Sequence, residues 1–330
     1  MGIQTVSQAL SNENVAPFGF KNRIINGNFD FWQRGTSFSN PNDTYTADRF
    51  LVVPGGGTTG DTVSQQTFTP GQTDVPGEPT YFLRFAVGAT SANRVMHHRV
   101  EDVRTFAGQT CTLSFYAKAS TAHTSTVEFQ QNFGSGGSTA VTQSPIAYTM
   151  STSWQKFTFT VTLPSIAGKT IGTSSYLYVS FIRSLPASSV SIDIAQMQWE
   201  KGPQATAFDY RPYGTELALC QRYCQVNGGV VSNQLLSISW AYSTTAAVTA
   251  CLLPVPMRAT PSLSYSAVGD WAVFNGGAGG PYTCTSIALN RASPTSLALE
   301  FVASSLTAGQ AGAVLANNTT NAKLILSAEL

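Results

Sequence analysis

The stretch TCTLSFYAK at 110–118 alternates: Cys111, Leu113, Phe115 and Ala117 point one way, and Thr112, Ser114, Tyr116 and Lys118 the other. A period of two belongs to a β-strand, whose successive side chains leave opposite faces of a sheet. One face is apolar and the other polar, so the strand is half buried, as in an antiparallel sheet with one wet face. Outward from it, 155–163 sets Phe157, Phe159, Val161 and Leu163 against Lys156, Thr158, Thr160 and Thr162. Likewise, 125–133 sets Val127, Phe129 and Phe133 against Glu128, Gln130 and Asn132. Further strands are expected at 50–53, 81–87, 94–103, 176–183 and 190–199, divided by Gly-, Pro-, Ser- and Thr-rich connectors such as 54–60 and 134–138. In the last strand the apolar phase slips between Ile194 and Met197, which predicts a bulge or a change of neighbours. Many short strands without intervening helices predict an all-β fold led by a jelly-roll β-sandwich.

One short helix is expected. Thr215 can cap it, Glu216 suits the positive end of its dipole, and Leu217, Cys220, Gln221 and Cys224 share a face before Gly228 and Gly229 end it. A domain boundary is therefore placed near Gly214. Beyond it, strand-like runs at 235–242, 246–253, 262–267, 296–302 and 322–328 predict a second, smaller β-sandwich. The expected organisation is a polar leader at 1–20, a jelly roll at 21–214 and a C-terminal β domain at 215–330.

A chain of 330 residues suggests about two domains. Its 18 Lys and Arg nearly balance 17 Asp and Glu, leaving a net charge of +1. Nucleic-acid binding needs a basic surface to displace counterions from phosphates, and that balance offers none. Charged residues are only 11 %, and Ser and Thr outnumber them about two to one, so hydroxyls and amides keep the surface wet. No run approaches the length of a membrane-spanning helix, and 1–10 lacks the basic start and apolar stretch of a secretory signal. The five cysteines form no CxxC and no zinc spacing, which predicts reduced, mostly buried thiols.

Two segments resemble a known module. NRIINGNFDFWQRGTSFSNPNDTYTADRF at 22–50 resembles the opening strand and turn of a module common in bacteriophage fibre and tail proteins. QWEKGPQATAFDYRPYGTELALCQRYC at 198–224 resembles its closing strand and following helix, and TCTLSFYAKAS at 110–120 resembles the central strand of carbohydrate-binding jelly rolls. VPMRATPSL at 255–263 and the terminal SAEL resemble receptor-facing ends of such fibres. The resemblance implies a virion structural protein: a tail or head fibre, assembled in the host cytoplasm as a homotrimer, touching other virion proteins and the host surface polysaccharide. Carbohydrate-binding jelly rolls often hold a structural calcium, and the matching positions are Asn28 or Asp30 with Asp193. That set is poor in carboxylates for an ion wanting six to eight oxygens, so no metal or cofactor is assigned.

Catalysis is not expected. Glycoside hydrolysis needs two carboxylates facing one cleft, and the acids here are scattered. His97 and His98 are adjacent in a strand and so face opposite sides. GGG at 55–57 and NGGAGG at 275–280 lack the Lys-Ser/Thr and helix start of a phosphate loop.

The aromatic residues carry the binding expectation, because flat rings stack on sugar faces while amides and carboxylates bond hydroxyls. Tyr116, Tyr176 and Tyr178 fall on or beside the polar phase of their strands, with Glu128, Gln130 and Asn132, and form a platform if these strands share one sheet. The alternative is that Tyr176 and Tyr178 pack under a neighbouring domain or subunit. In the second domain, Asp270, Trp271, Asn275 and Tyr282 around a Gly-rich loop are expected to form a ligand-reading tip. Leu235, Leu236, Ile238, Trp240 and Tyr242 exceed what a small core hides, which predicts that some of them meet neighbouring subunits of a trimer. The expected function is thus a non-enzymatic fibre protein binding host glycan. A decoration or adaptor protein without receptor binding and a polysaccharide depolymerase are the alternatives.

Overall fold

The computed structural model describes residues 20–53, 60–88, 95–182, 189–276 and 280–330. The expected leader, save its last residue, and the GGG at 55–57 lie outside these residues. The chain divides into two compact units within its helix, the first ending at Glu216 and the second running Leu217–Glu329.

The first unit holds β1 (Ser37–Ser39), β2 (Thr44–Tyr45), β3 (Phe50–Val53), β4 (Thr62–Thr67), β5 (Tyr81–Val87), β6 (Val95–Glu101) and β7 (Thr110–Ala119). It continues with β8 (His123–Asn132), β9 (Val141–Thr142), β10 (Ile146–Met150), β11 (Gln155–Thr162), β12 (Tyr176–Ile182) and β13 (Val190–Lys201). All pair antiparallel into two sheets: six strands in the order β1-β4-β5-β13-β7-β11, and seven led by β10-β8-β12-β6-β3-β2 with β9 on β8. The apolar phases meet between them. Phe115 of β7 lies 6.4 Å from Phe181 of β12, and Trp199 of β13 lies 5.3 Å from Phe129 of β8, all four fully buried. Two antiparallel sheets sharing one core make the jelly-roll sandwich that the alternation at 110–118 predicts.

The phase slip in β13 is a bulge. Its register against β7 shifts between Ala195 and Gln198, and Gln196 takes φ +48°. Met197 thereby turns into the core, and Gln196 and Gln198 both turn to the sheet's other face, where neighbouring segments cover them. Gly27 donates no side chain here for a reason: a Cβ would stand 2.1 Å from the Met197 carbonyl oxygen, which is held close because Met197 N–H bonds the Gly27 carbonyl at 2.8 Å.

The two segments that resemble the fibre module meet along this edge. Asn22 Oδ1 accepts from Trp199 N–H at 3.0 Å, its Nδ2 donates to Met197 O at 3.1 Å, and Arg23 N–H donates to Trp199 O at 2.8 Å. Buried Arg211 donates to both oxygens of Glu216, at 3.0 and 2.9 Å, and to the Ile24 and Asn22 carbonyls.

The helix α1 (Tyr213–Gln221) starts two residues before the expected cap, its first turn formed by Thr215 and Glu216 N–H groups on the Pro212 carbonyl. Cys224 is not on it. The residue opens β14 (Cys224–Gly228), because pairing with a later strand satisfies that backbone better than another helical turn.

The second unit adds β15 (Leu235–Ala241), β16 (Ala246–Leu252), β17 (Ser262–Tyr265), β18 (Trp271–Asn275), β19 (Tyr282–Ala292), β20 (Ser296–Ala303), β21 (Ala311–Ala316) and β22 (Lys323–Ser327). Its larger sheet curls in the order β15-β16-β20-β19-β18-β21 until β21 pairs β15, giving a closed barrel beside a three-stranded sheet β14-β22-β17. A sandwich would leave edges; closure removes them from the larger sheet. Strands β15 and β16 are in register only at Ser239, Trp240 and Ala241. Below that point lies a cavity of about 230 Å³ lined by residues including Leu236, Cys251, Leu253, Leu297 and Leu324. No disulfide joins the cysteines, and burial pushes the Cys111 and Cys284 thiols up to about 11 and about 12. Among the described residues no helix is long and apolar enough to cross a membrane.

Candidate binding groove on the six-stranded sheet

The expected platform divides between two sheets. Tyr116 lies on β7 in the six-stranded sheet, whereas Glu128 and Gln130 on β8 and Tyr178 on β12 lie in the seven-stranded one. On the latter, Tyr178 sits in register between Arg99 and Gln130. Its ring face is taken by His97, stacked at 4.5 Å and 9°, and its hydroxyl donates to Glu128 Oε1 at 3.1 Å. Arg99 covers the Tyr176 ring at 4.8 Å, and Gln130 Nε2 donates to Thr142 Oγ1 at 2.7 Å. Rings whose faces meet neighbours have less to offer a sugar, and Glu128 is itself buried. These residues make a knit wall, not an open platform.

The expected tip at 269–282 is corrected more strongly. It is mostly strand: Trp271 and Asn275 lie on β18 with 1 % exposure, Trp271 packing 6.3 Å from Phe301 and Asn275 Nδ2 donating to Thr307 O at 3.3 Å. Asp270 ends a single 3-10 turn, Val268–Asp270, with its carbonyl taken by Asn317 N–H. Tyr282 begins β19, half buried against the barrel core. Residues 277–279 of the glycine run lie outside the described residues. The four do not converge on an open loop.

The calcium positions also separate. Asp193 is buried on β13, its two oxygens taken by Arg84 at 2.7 and 2.8 Å with Lys118 at 3.8 Å. Two cations already neutralise it, which removes it as a metal ligand. Asn28 instead donates to Asp30 Oδ2 at 3.0 Å, and burial raises the Asp30 carboxyl above its usual range. Among the described residues no three His, Cys, Asp or Glu side chains gather to hold a metal.

What does converge is a groove of about 320 Å³ on the outer face of the six-stranded sheet. Ser114 and Tyr116 of β7 and Gln196 and Gln198 of β13 form its floor, and Lys156 of β11 stands beside them. The bulge is what supplies two amides in this short span. One wall is Pro76 and Gly77; the other is 206–208 with Tyr210. Gln196 Nε2 donates to Pro76 O at 2.6 Å and to the Tyr210 hydroxyl, which donates to Gly77 O at 3.1 Å. Gln198 Oε1 accepts from Asp209 N–H at 2.8 Å, and its Nε2 donates to Glu200 Oε1 at 2.6 Å. Glu200, two residues on and on the same face as Gln198, is buried beneath the 206–208 wall and also accepts from Thr206 N–H and Oγ1, so its oxygens are taken by these donors.

Burial raises the Tyr116 and Tyr210 phenols above their ordinary value, so both keep their protons. Lys156 Nζ lies 3.3 Å from the Thr206 carbonyl. The volume falls at the small end of ordinary ligand sites, and the lining mixes rings with fixed polar groups. Sequence alternation found Tyr116; the amides and the 206–210 wall were hidden, because neither a bulge nor a returning loop has a period.

Fold and groove together define an all-β protein whose jelly roll carries an open, uncharged-floored cleft on one sheet. Among solved structures the chain is similar to a CBM4 structure, at 20 % identity over 54 % of this chain and 99 % of that one, with a TM-score of 0.36. It is also similar to the N-terminal cellulose-binding domain of Cellulomonas fimi β-1,4-glucanase C, at 15 % identity over 52 % and 97 %, TM-score 0.33. A third likeness is the enzymatically active domain of bacteriophage CBA120 tailspike protein 4, at 17 % identity over 55 % of this chain but 22 % of that one, TM-score 0.35. No family model matches the chain, and no curated protein matches it.

Proposed function

We propose that this chain is a non-enzymatic glycan-binding component of a bacteriophage fibre, and that the groove over Tyr116, Gln196 and Gln198 holds a neutral stretch of host surface polysaccharide. The groove itself carries the reading. Its rings offer apolar faces to sugar C–H groups and its hydroxyls offer donors and acceptors to sugar hydroxyls, while Gln196 and Gln198, buried and bonded to the walls, hold the floor in shape. The fibre setting is supported by 22–50 and 198–224, which resemble the fibre module and are held together by Asn22 on Trp199 and by Arg211 on the Ile24 and Asn22 carbonyls. Binding without cleavage is supported by the lining, in which no side chain is a carboxylic acid.

Affinity electrophoresis through gels containing soluble xylan, β-glucan or galactan tests it. Retardation in at least one gel is expected, falling about tenfold in apparent affinity for Tyr116→Ala. Mobility unchanged in every gel would overturn it. Growth of reducing ends during the same incubation would instead establish the depolymerase.

A further inference from the structure

On the outer wall of the barrel, Ser239 and Ala241 of β15 turn inward, so Trp240 between them turns out and is 52 % exposed. Tyr242, two residues on and on the same face, is 44 % exposed, and the two rings lie side by side with centroids 6.3 Å apart at 46°. Across the sheet, Trp240 is in register with Val248 and Val248 with Glu300. The Tyr242 hydroxyl donates to Glu300 Oε2 at 2.6 Å, and Asn290 Nδ2 reaches the same oxygen at 3.4 Å. Two exposed neighbouring rings, tilted toward one another, thus end on a carboxylate and an amide.

We propose that Trp240, Tyr242, Asn290 and Glu300 form a second carbohydrate site, independent of the groove, taking a neutral hexose oligomer. The hexose C–H face lies on Trp240, and its hydroxyls donate to Glu300 and accept from Asn290. A purely apolar partner fits worse, because covering the surface would desolvate a carboxylate without replacing its hydrogen bonds. An ammonium guest fits worse as well. Cages for such cations set rings facing one another across the guest, whereas these lie side by side at the end of β15, and the Glu300 charge is already shared by two donors.

The five tryptophans make the test local. In protein labelled with 5-fluorotryptophan, Trp240→Phe identifies the Trp240 fluorine resonance. Millimolar cellotetraose or β-1,4-galactotetraose should shift that resonance, and Glu300→Gln should weaken the response at least about fivefold. Three results overturn the proposal: a resonance still under both saccharides, one that moves with choline instead, or one that moves only with protein concentration. The groove contains no tryptophan, so its success or failure leaves this reading untouched.

Discussion

Two tryptophans show what one residue's neighbours decide. Trp271 and Trp240 both sit in short apolar runs, yet one is core and the other is surface. WAVFN at Trp271–Asn275 hides its phase, because apolar residues occupy both faces and the inward Asn275 donates to a carbonyl distant in sequence, that of Thr307. The adjoining glycines then made a strand read as a loop. Trp271→Ala should therefore destabilise the barrel by about 3–5 kcal/mol, as deletion of a buried aromatic ring does, and thermal melting will show it. A ligand-reading tip would instead have left the midpoint unchanged.

His98 is a second case. It is fully buried against Phe50, with Nε2 3.2 Å from Ile25 N, and burial together with Arg49 and Arg211 holds it well below its usual 6.5. The unfolded chain then binds a proton that the native state refuses, so stability present above pH 6.5 is lost as pH falls below it. His123, lowered by burial, acts in the same direction. The fall of the melting midpoint with acid should be shallower, though not flat, in His98→Gln; an identical slope would contradict the assignment.

At the scale of elements, the strands read from alternation were those with one wet face, such as β7 and β11, whose outward Thr pairs (Thr110 with Thr162, Thr112 with Thr160) bond across at 2.9 and 3.0 Å. Strands β10, β18, β19 and β21 escaped notice because small or apolar residues fall on both phases. The bulge in β13 was legible as a broken phase, but its use was not: nothing local says that the freed amides floor a groove. Gly27 ties the opening segment to that bulge. Gly27→Ala should cost about 3 kcal/mol, the upper end for a single substitution, because the obstructing atom is backbone and cannot swing aside. A urea midpoint close to that of the wild type would show that the close approach is dispensable.

For the whole molecule, four neighbouring barrel strands, β16, β15, β21 and β18, carry no charged residue. Phe274, Ala313 and Ile238 follow one another in register there, with Ile238 73 % and, on β16, Leu252 87 % exposed. We propose that the part of this face around Ile238, Phe274 and Leu252, with Trp240 and Tyr242 left outside it, joins copies of the chain into a trimer, giving each weak sugar site the avidity of three. Light scattering should give about three times the 35.1 kDa of one chain, and Ile238→Lys should reduce it toward one. A wild-type mass of one chain would reject the trimer.

The barrel is closed, yet its seam is uneven. Strand β16 is held to β20 over Ala246 to Leu252 but to β15 only at Ser239, Trp240 and Ala241, and the β15–β21 register shifts between Leu235 and Ser237. The stretch 235–238 is therefore paired through its backbone on one side only, beside a cavity, and reaches β16 just through side-chain bonds from Ser237 to the Ala250 carbonyl and from Thr249 to the Ile238 carbonyl. Breathing costs least where the fewest backbone bonds must break together. Deuterium should enter the amides of 235–238 sooner than those of β20, so the hoop unzips from this half-fastened stave before any other part gives way.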